Sequence, residues 1–345
     1  MAVEVVVPAR GKRLPDEAAA PQAARLTLDK SVPPGGPRWL LPALMITGIV
    51  ALLACLLAGG TVGAAAVSGL PDAGAGTRWA LPLASFIAET AAVLAFGAAL
   101  LAGALLPGRH PKADAARIRA LSTAKMLCWL AAGATVVVFV LTLSDLTARP
   151  LPQALEPHEA LQLASFGPGR LLLIAAALSL LGGTVAAWTG RRLRRAQANQ
   201  SVQLILLIAV LAGALVTWAL GGHTTQSGQD IASSSMIVHV LAAGAWVGGL
   251  VVVVLYVRGD LLTTVLPRFS TLALWCWVAI GTSGVVTGWL RLGSVGDLLT
   301  SNYGRLLLVK LMLLGVLGGF GAWHRRRMAR GLVDQSIGER QALLR

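Results

Sequence analysis

Residue types that suit a soft metal ion occur together in one short part of the sequence. Residues 221–230 read Gly-Gly-His-Thr-Thr-Gln-Ser-Gly-Gln-Asp, and the absence of Lys and Arg means that no fixed positive charge repels a cation there. Met236 and His239 follow, three residues apart and therefore on one helix face. A thioether and an imidazole suit Cu(I), which prefers soft ligands of low charge. We therefore predict a metal path with His223 at its mouth and Met236 and His239 further in.

Each of these residues also has a structural interpretation. A single His inside a membrane is commonly hydrogen-bonded to a neighbouring helix, and a Met at an interface commonly contributes packing alone. Counted along the helix, His223 and His239 lie at different depths, with His239 roughly 12 Å into the membrane. This spacing favours successive stops on a path over a single closed site.

Two ionisable residues, Glu89 and Lys310, lie within apolar stretches. A charge in hydrocarbon is costly and persists when it is paired or when it lines a water-filled path. Both residues lie at similar depth, six to nine residues from the external ends of their stretches. Two hypotheses remain open: a buried ion pair that fixes the packing of two helices, and a polar stop on a cation or proton path.

The elements that must position these residues are apolar runs long enough to cross a bilayer, which takes about 20 residues in helical form. The chain of 345 residues is 56% hydrophobic and contains eight such runs. They are Trp39–Gly60, Ala80–Leu106, Thr123–Asp145, Arg170–Gly190, Val202–Gly221, Ile231–Val257, Phe269–Arg291 and Gly304–His324. The sequence therefore predicts an all-α polytopic membrane protein, a bundle of about eight transmembrane helices.

The basic residues set the predicted orientation of this bundle. Of the 29 Lys and Arg residues, 23 fall in alternate compartments and 5 in the others, with Lys310 inside the last run. The positive-inside rule then places both termini in the cytoplasm. The net charge of +14 thus reflects topology and contact with membrane lipids, and we expect no binding to nucleic acid.

Three regions follow from this pattern. Residues 1–38 form a flexible cytoplasmic tail, residues 39–324 form the membrane domain, and residues 325–345 form a basic cytoplasmic tail. Within the membrane domain, three pairs of glycines four residues apart predict close helix packing. These pairs are Gly244/Gly248, Gly284/Gly288 and Gly315/Gly319.

Several stretches resemble the bacterial copper-resistance D (CopD) family of inner-membrane proteins. Residues 239–250, His-Val-Leu-Ala-Ala-Gly-Ala-Trp-Val-Gly-Gly-Leu, are similar to that family's signature. So are Arg268-Phe269-Ser270, Thr287-Gly288, residues 303–310 (Tyr-Gly-Arg-Leu-Leu-Leu-Val-Lys) and His324-Arg325-Arg326-Arg327. The resemblance covers about residues 221–327 and includes Lys310 in a family motif. The first four apolar runs resemble the family in hydropathy alone.

The resemblance implies a role in moving copper across the bacterial inner membrane, often beside a small periplasmic copper-binding protein. We therefore expect a copper-handling permease with Cu(I) as its cargo and without catalytic chemistry. The alternative is a factor that delivers copper to a respiratory cytochrome oxidase or scaffolds its assembly. The sequence contains no nucleotide-binding loop. A haem protein with His223 and His239 as ligands is the weakest of these hypotheses, because it needs both histidines at one depth.

Overall fold

A computed structural model shows how the apolar runs fold. It describes residues 39–58, 72–108, 111–165, 167–195, 200–221, 230–292, 294 and 296–343. Within these residues the chain is helical, with short connections and no strand. The helices are α1 (Leu40–Ala58), α2 (Gly74–Leu100), α3 (Pro111–Thr147), α4 (Leu151–Ala154), α5 (Pro157–Ser165), α6 (Gly167–Arg194), α7 (Ser201–Gly221), α8 (Asp230–Tyr256), α9 (Leu261–Arg291), α10 (Asp297–Thr300) and α11 (Asn302–Leu343).

Seven helices in the described part of the chain are long and apolar enough to cross a membrane. They are α2, α3, α6, α7, α8, α9 and α11, and they correspond to the last seven of the eight predicted runs. The predicted fold class, an all-α polytopic membrane protein, is confirmed. The structure does not show on which side of the membrane the two termini lie. Their cytoplasmic location stays a prediction.

The first predicted run differs from the other seven. It forms α1, but its apolar described part, Met45–Leu57, is shorter than a membrane-spanning helix requires. Large side chains of α1 are exposed, among them Ile46, Val50 and Leu57. Its Gly48 lies against the ring of Phe86 on α2. Among the described residues, seven helices are thus long and apolar enough to span a membrane, and the crossing by α1 stays a prediction.

The core of the bundle is made by α2, which contacts α3, α7 and α8. Its buried face consists largely of alanine, and Ala95, Ala98 and Ala99 are fully buried. Small side chains let helix backbones approach closely where lipid supplies no hydrophobic driving force. One such close approach is between α2 and α8, where a Cβ added at Gly97 would overlap the backbone of Gly248.

The helices α9 and α11 form the outer side of the bundle. α9 packs on α8, and α11 contacts α9. The Trp277 indole of α9 donates a 2.8 Å hydrogen bond to the Leu314 carbonyl of α11 and lies against Gly318. α11 also continues without a break through the predicted basic tail, as far as Leu343.

Arginine side chains donate hydrogen bonds to backbone carbonyls at one end of the bundle, which we call the basic end. After α2 the chain forms a π-helical turn, Leu101–Leu105, which ends where the Leu106 N–H donates to the Leu101 carbonyl at 3.1 Å. The last carbonyls of a helix end need partners from outside the helix. Arg117 donates to the Ala102 and Pro107 carbonyls at 2.8 and 2.7 Å, and Arg268 donates to Leu105 and Leu106, both at 3.2 Å. Arg325 on α11 likewise bonds the hydroxyl and carbonyl of Ser270 on α9. Both arginines lie in stretches with the family resemblance: Arg268 stabilises the helix end at Leu105 and Leu106, and Arg325 joins α11 to α9.

Candidate functional site

Four polar side chains link α8 to α9 inside the apolar part of the bundle. On α8 these are Ser235 and His239, and on α9 they are Ser283 and Thr287. The His239 Nδ1 lies 3.0 Å from the Ser283 hydroxyl. One turn away, the Ser235 hydroxyl donates to the Ser283 carbonyl at 2.9 Å and lies 3.2 Å from the Thr287 hydroxyl. We call these four residues the polar ladder.

The spacing of the residues explains why the ladder forms. Ser235 and His239 are four residues apart, as are Ser283 and Thr287, so each pair lies on one helix face. The short connection at residues 257–260 makes α8 and α9 antiparallel neighbours. Polar groups in a membrane have no water to bind and find partners on adjacent helices. Matching pairs on two antiparallel helices therefore meet face to face.

His239 is the residue of the polar ladder whose side chain could bind a metal ion. Its ring is partly exposed, and Nδ1 faces the Ser283 hydroxyl. No hydrogen bond of the described residues involves Nε2. An imidazole with one nitrogen held by a hydrogen bond and the other open is the usual arrangement of a histidine that binds a metal.

The other predicted ligands are placed less completely. Met236 is partly buried and lies one turn before His239 on α8. His223 lies outside the described residues, so the predicted mouth of the path has no structural description. Within the described residues, no three His, Cys, Asp or Glu side chains come together in a way that could hold a metal ion. The predicted metal ligands that the structure describes are therefore His239 and Met236.

Lys310 lies at the same depth as the polar ladder, on α11. Leu307 of α11 packs against Gly288 of α9, and Leu314 packs against Gly281. Lys310 lies between these two contacts and is therefore level with Ser283 and Thr287. Its ammonium group is within electrostatic range of the His239 ring. A cation that reaches His239 would thus be near a fixed positive charge.

Glu89 and Lys310, the predicted charged pair, are not brought together. The ion pairs of the described residues do not include them, and both side chains are exposed. Glu89 is one turn from Val93, on the face of α2 that contacts Gly248 of α8. His239 is nine residues from Gly248, about two and a half turns, and thus on the opposite face of α8. In this structure α8 therefore lies between the two residues. The charged pair and the ion path both stay predictions.

Sequence reasoning missed Ser283. The segment Thr287-Gly288 stood out for its family resemblance, but no motif pointed to Ser283. A signal was nevertheless present, because serine and threonine four residues apart in one apolar run match serine and histidine four apart in the preceding run. A search for polar pairs of equal spacing on consecutive spans would have found the contact.

The comparison with protein families agrees with the resemblance in the distal part of the chain. Residues 263–345 match the family model for copper resistance protein D. The match includes Ser283, Thr287 and Lys310 but begins after His239. The resemblance of residues 239–250 to that family therefore lies outside the matched region. Comparisons with curated proteins and with solved structures gave no match. Together with the seven apolar helices, the match indicates a multi-pass membrane protein related to copper resistance.

Proposed function

We propose that this protein is a copper-handling permease of the bacterial inner membrane, without catalytic chemistry, that moves copper across the membrane as Cu(I). The match of residues 263–345 to copper resistance protein D carries the proposal, because it connects the chain to copper. The position of His239 supports it, since this residue offers an open imidazole nitrogen within the apolar region.

The donor set fits a transported ion better than a resident one. Neutral soft ligands such as the Met236 thioether and the His239 imidazole suit Cu(I). A path needs sites that bind well enough to admit the ion and weakly enough to release it. Two protein donors with Lys310 in electrostatic range make a weak site. Copper would be delivered by a periplasmic copper-binding protein, because the sequence has no Met-rich external segment.

The test is copper accumulation in cells that produce the protein. Wild type should raise cell-associated copper and copper sensitivity. His239→Ala should abolish this gain and Met236→Ala should reduce it, because each removes a ligand. His223→Ala should mainly slow entry, since this residue precedes the spanning part of α8.

The matched control is His158→Ala. His158 lies on the short helix α5, with its Nδ1 3.6 Å from the Glu156 carboxylate. It should accumulate copper like wild type. If His239→Ala reaches the membrane and still accumulates copper normally, His239 is a packing residue. The function would then have to be sought in copper delivery or scaffolding for assembly of a cytochrome oxidase.

A further inference from the structure

The Ser283 hydroxyl makes contacts that restrict where its single proton can be. Its oxygen lies 3.1 Å from the Ile280 carbonyl, one turn earlier on α9, and 3.0 Å from the His239 Nδ1. A carbonyl can accept a hydrogen bond but cannot donate one. When Ser283 donates to Ile280, its own oxygen accepts, and the proton of the second hydrogen bond must come from Nδ1.

The opposite arrangement fits the surroundings less well. If Ser283 donated to Nδ1, that nitrogen would carry no proton, and the proton of the neutral ring would be on Nε2. Both ring nitrogens would then be closed to a metal ion.

The position of Ser283 is itself fixed by the rest of the polar ladder. The Ser235 hydroxyl bonds the Ser283 carbonyl and contacts Thr287, so α8 and α9 are joined at two points one turn apart. Ser235 and Ser283 are both buried. The oxygen that faces Nδ1 is therefore held in place by groups other than His239.

We infer that Ser283 is a positioning residue that holds His239 in the tautomer protonated at Nδ1, so that Nε2 is the nitrogen presented to an incoming ion. That the ion is Cu(I) rests on the proposed function. The tautomer itself does not, because it follows from the hydrogen bonds of the protein alone.

The first measurement is made without copper. The full chain, labelled with ¹⁵N-histidine and reconstituted in lipid bilayers, is studied by solid-state NMR, and the His239 signals are assigned by their loss in His239→Gln. We expect a proton on Nδ1 and none on Nε2. Ser283→Ala should produce a mixture of tautomers, whereas Ser283→Thr, which keeps a hydroxyl, should restore the wild-type signal.

Thr282→Ala is the matched control for Ser283→Ala. It removes a neighbouring hydroxyl on α9 that bonds only the Val278 and Ala279 carbonyls of its own helix. This variant should leave the His239 tautomer unchanged. A wild-type His239 protonated at Nε2 would overturn the inference, and so would a tautomer that is the same in Ser283→Ala as in wild type.

The second measurement adds Cu(I) in competition with a chelator. Wild type should show a copper-dependent shift of the Nε2 signal. Ser283→Ala should bind Cu(I) roughly 10–100-fold more weakly, as is typical when the partner that orients a metal-binding histidine is lost. Wild-type protein that binds no Cu(I) but keeps the Nδ1 tautomer would contradict the proposed function and leave the assignment of Ser283 intact. Equal Cu(I) affinity in Ser283→Ala and wild type would contradict the positioning role.

Discussion

Glu89 and Lys310 carry opposite charges inside the spanning helices without forming an ion pair in the described part of the chain. Counted from the contact between Gly97 and Gly248, Glu89 and His239 both lie roughly 12–14 Å from it along their helices. Lys310 is level with the polar ladder. Glu89, His239 and Lys310 thus lie at comparable levels along the bundle, and α8 separates Glu89 from Lys310.

Double mutants can test this separation. We expect the destabilisation of Glu89→Gln with Lys310→Met to equal the sum of the single effects within about 0.3–0.5 kcal/mol, as for residues without shared partners. The measurement is the free energy of unfolding in detergent. Asp72 and Arg78, which are 2.9 Å apart, serve as a contacting control pair and should show coupling of about 0.2–1 kcal/mol. Coupling of roughly 3–5 kcal/mol between Glu89 and Lys310 would instead show a buried pair.

The sequence could predict part of the candidate site for a definite reason. Helix periodicity places Met236 and His239 on one face, and depth follows from counting residues along a span. Both quantities belong to a single helix. The contact of His239 with Ser283 depends on the register between α8 and α9, and the separation of Glu89 from Lys310 depends on which helix stands between them. Both relations depend on tertiary packing, which the spacing of residues along one helix cannot predict.

At the level of helices, the three predicted glycine pairs have different outcomes. Gly248 lies directly against Val93 and Gly97 of α2, and Gly288 lies under Leu307 of α11. In contrast, Cβ atoms added at Gly284, Gly315 and Gly319 would meet no atom within 4 Å. A spacing of four places two small residues on one face, but it does not determine whether another helix fills the groove.

Gly248 and Gly284 therefore provide a matched pair of substitutions. A Cβ in Gly248→Ala would overlap the Val93 carbonyl, so α2 and α8 must move apart, at a cost of about 1–3 kcal/mol. Gly284→Ala meets open space and should be neutral or stabilise α9 by roughly 0.5–1 kcal/mol. Thermal unfolding of both variants in the same detergent measures the difference. Equal midpoints would show that the close approach of α2 and α8 does not limit stability.

For the whole molecule, hydropathy predicted which segments form long apolar helices but not where the helices end. α3 begins at Pro111, well before the apolar run that starts at Thr123, and α11 continues past His324 to Leu343. The length of an apolar run follows the thickness of the hydrocarbon core. A helix is defined by its backbone hydrogen bonds, and these can continue beyond the membrane into water. By hydropathy alone, α1 is similar to the other apolar runs. In the structure, however, several of its large apolar side chains are exposed.

Whether α1 crosses the membrane decides the side of the N-terminal tail. If α1 crosses, the six basic residues before it lie on the same side as the basic end of the bundle. If it does not, they lie on the opposite side, against the positive-inside rule. The distribution of 23 against 5 basic residues thus depends on eight crossings, one more than the seven helices of the described residues that are long and apolar enough to span a membrane.

Reporter fusions can separate the two topologies. A reporter fused after Arg195 or after Arg327 should report the cytoplasm, because each position follows a basic cluster at the end of a spanning helix. A reporter inserted near Gln226 should report the external side, since residues 221–230 carry no basic residue. A reporter placed before Met1 then tests α1 by itself: a cytoplasmic signal means that α1 crosses the membrane, and an external signal means seven crossings. An external signal at Arg195 would instead invert the whole bundle and place the loop that contains His223 in the cytoplasm, where it could not receive periplasmic copper.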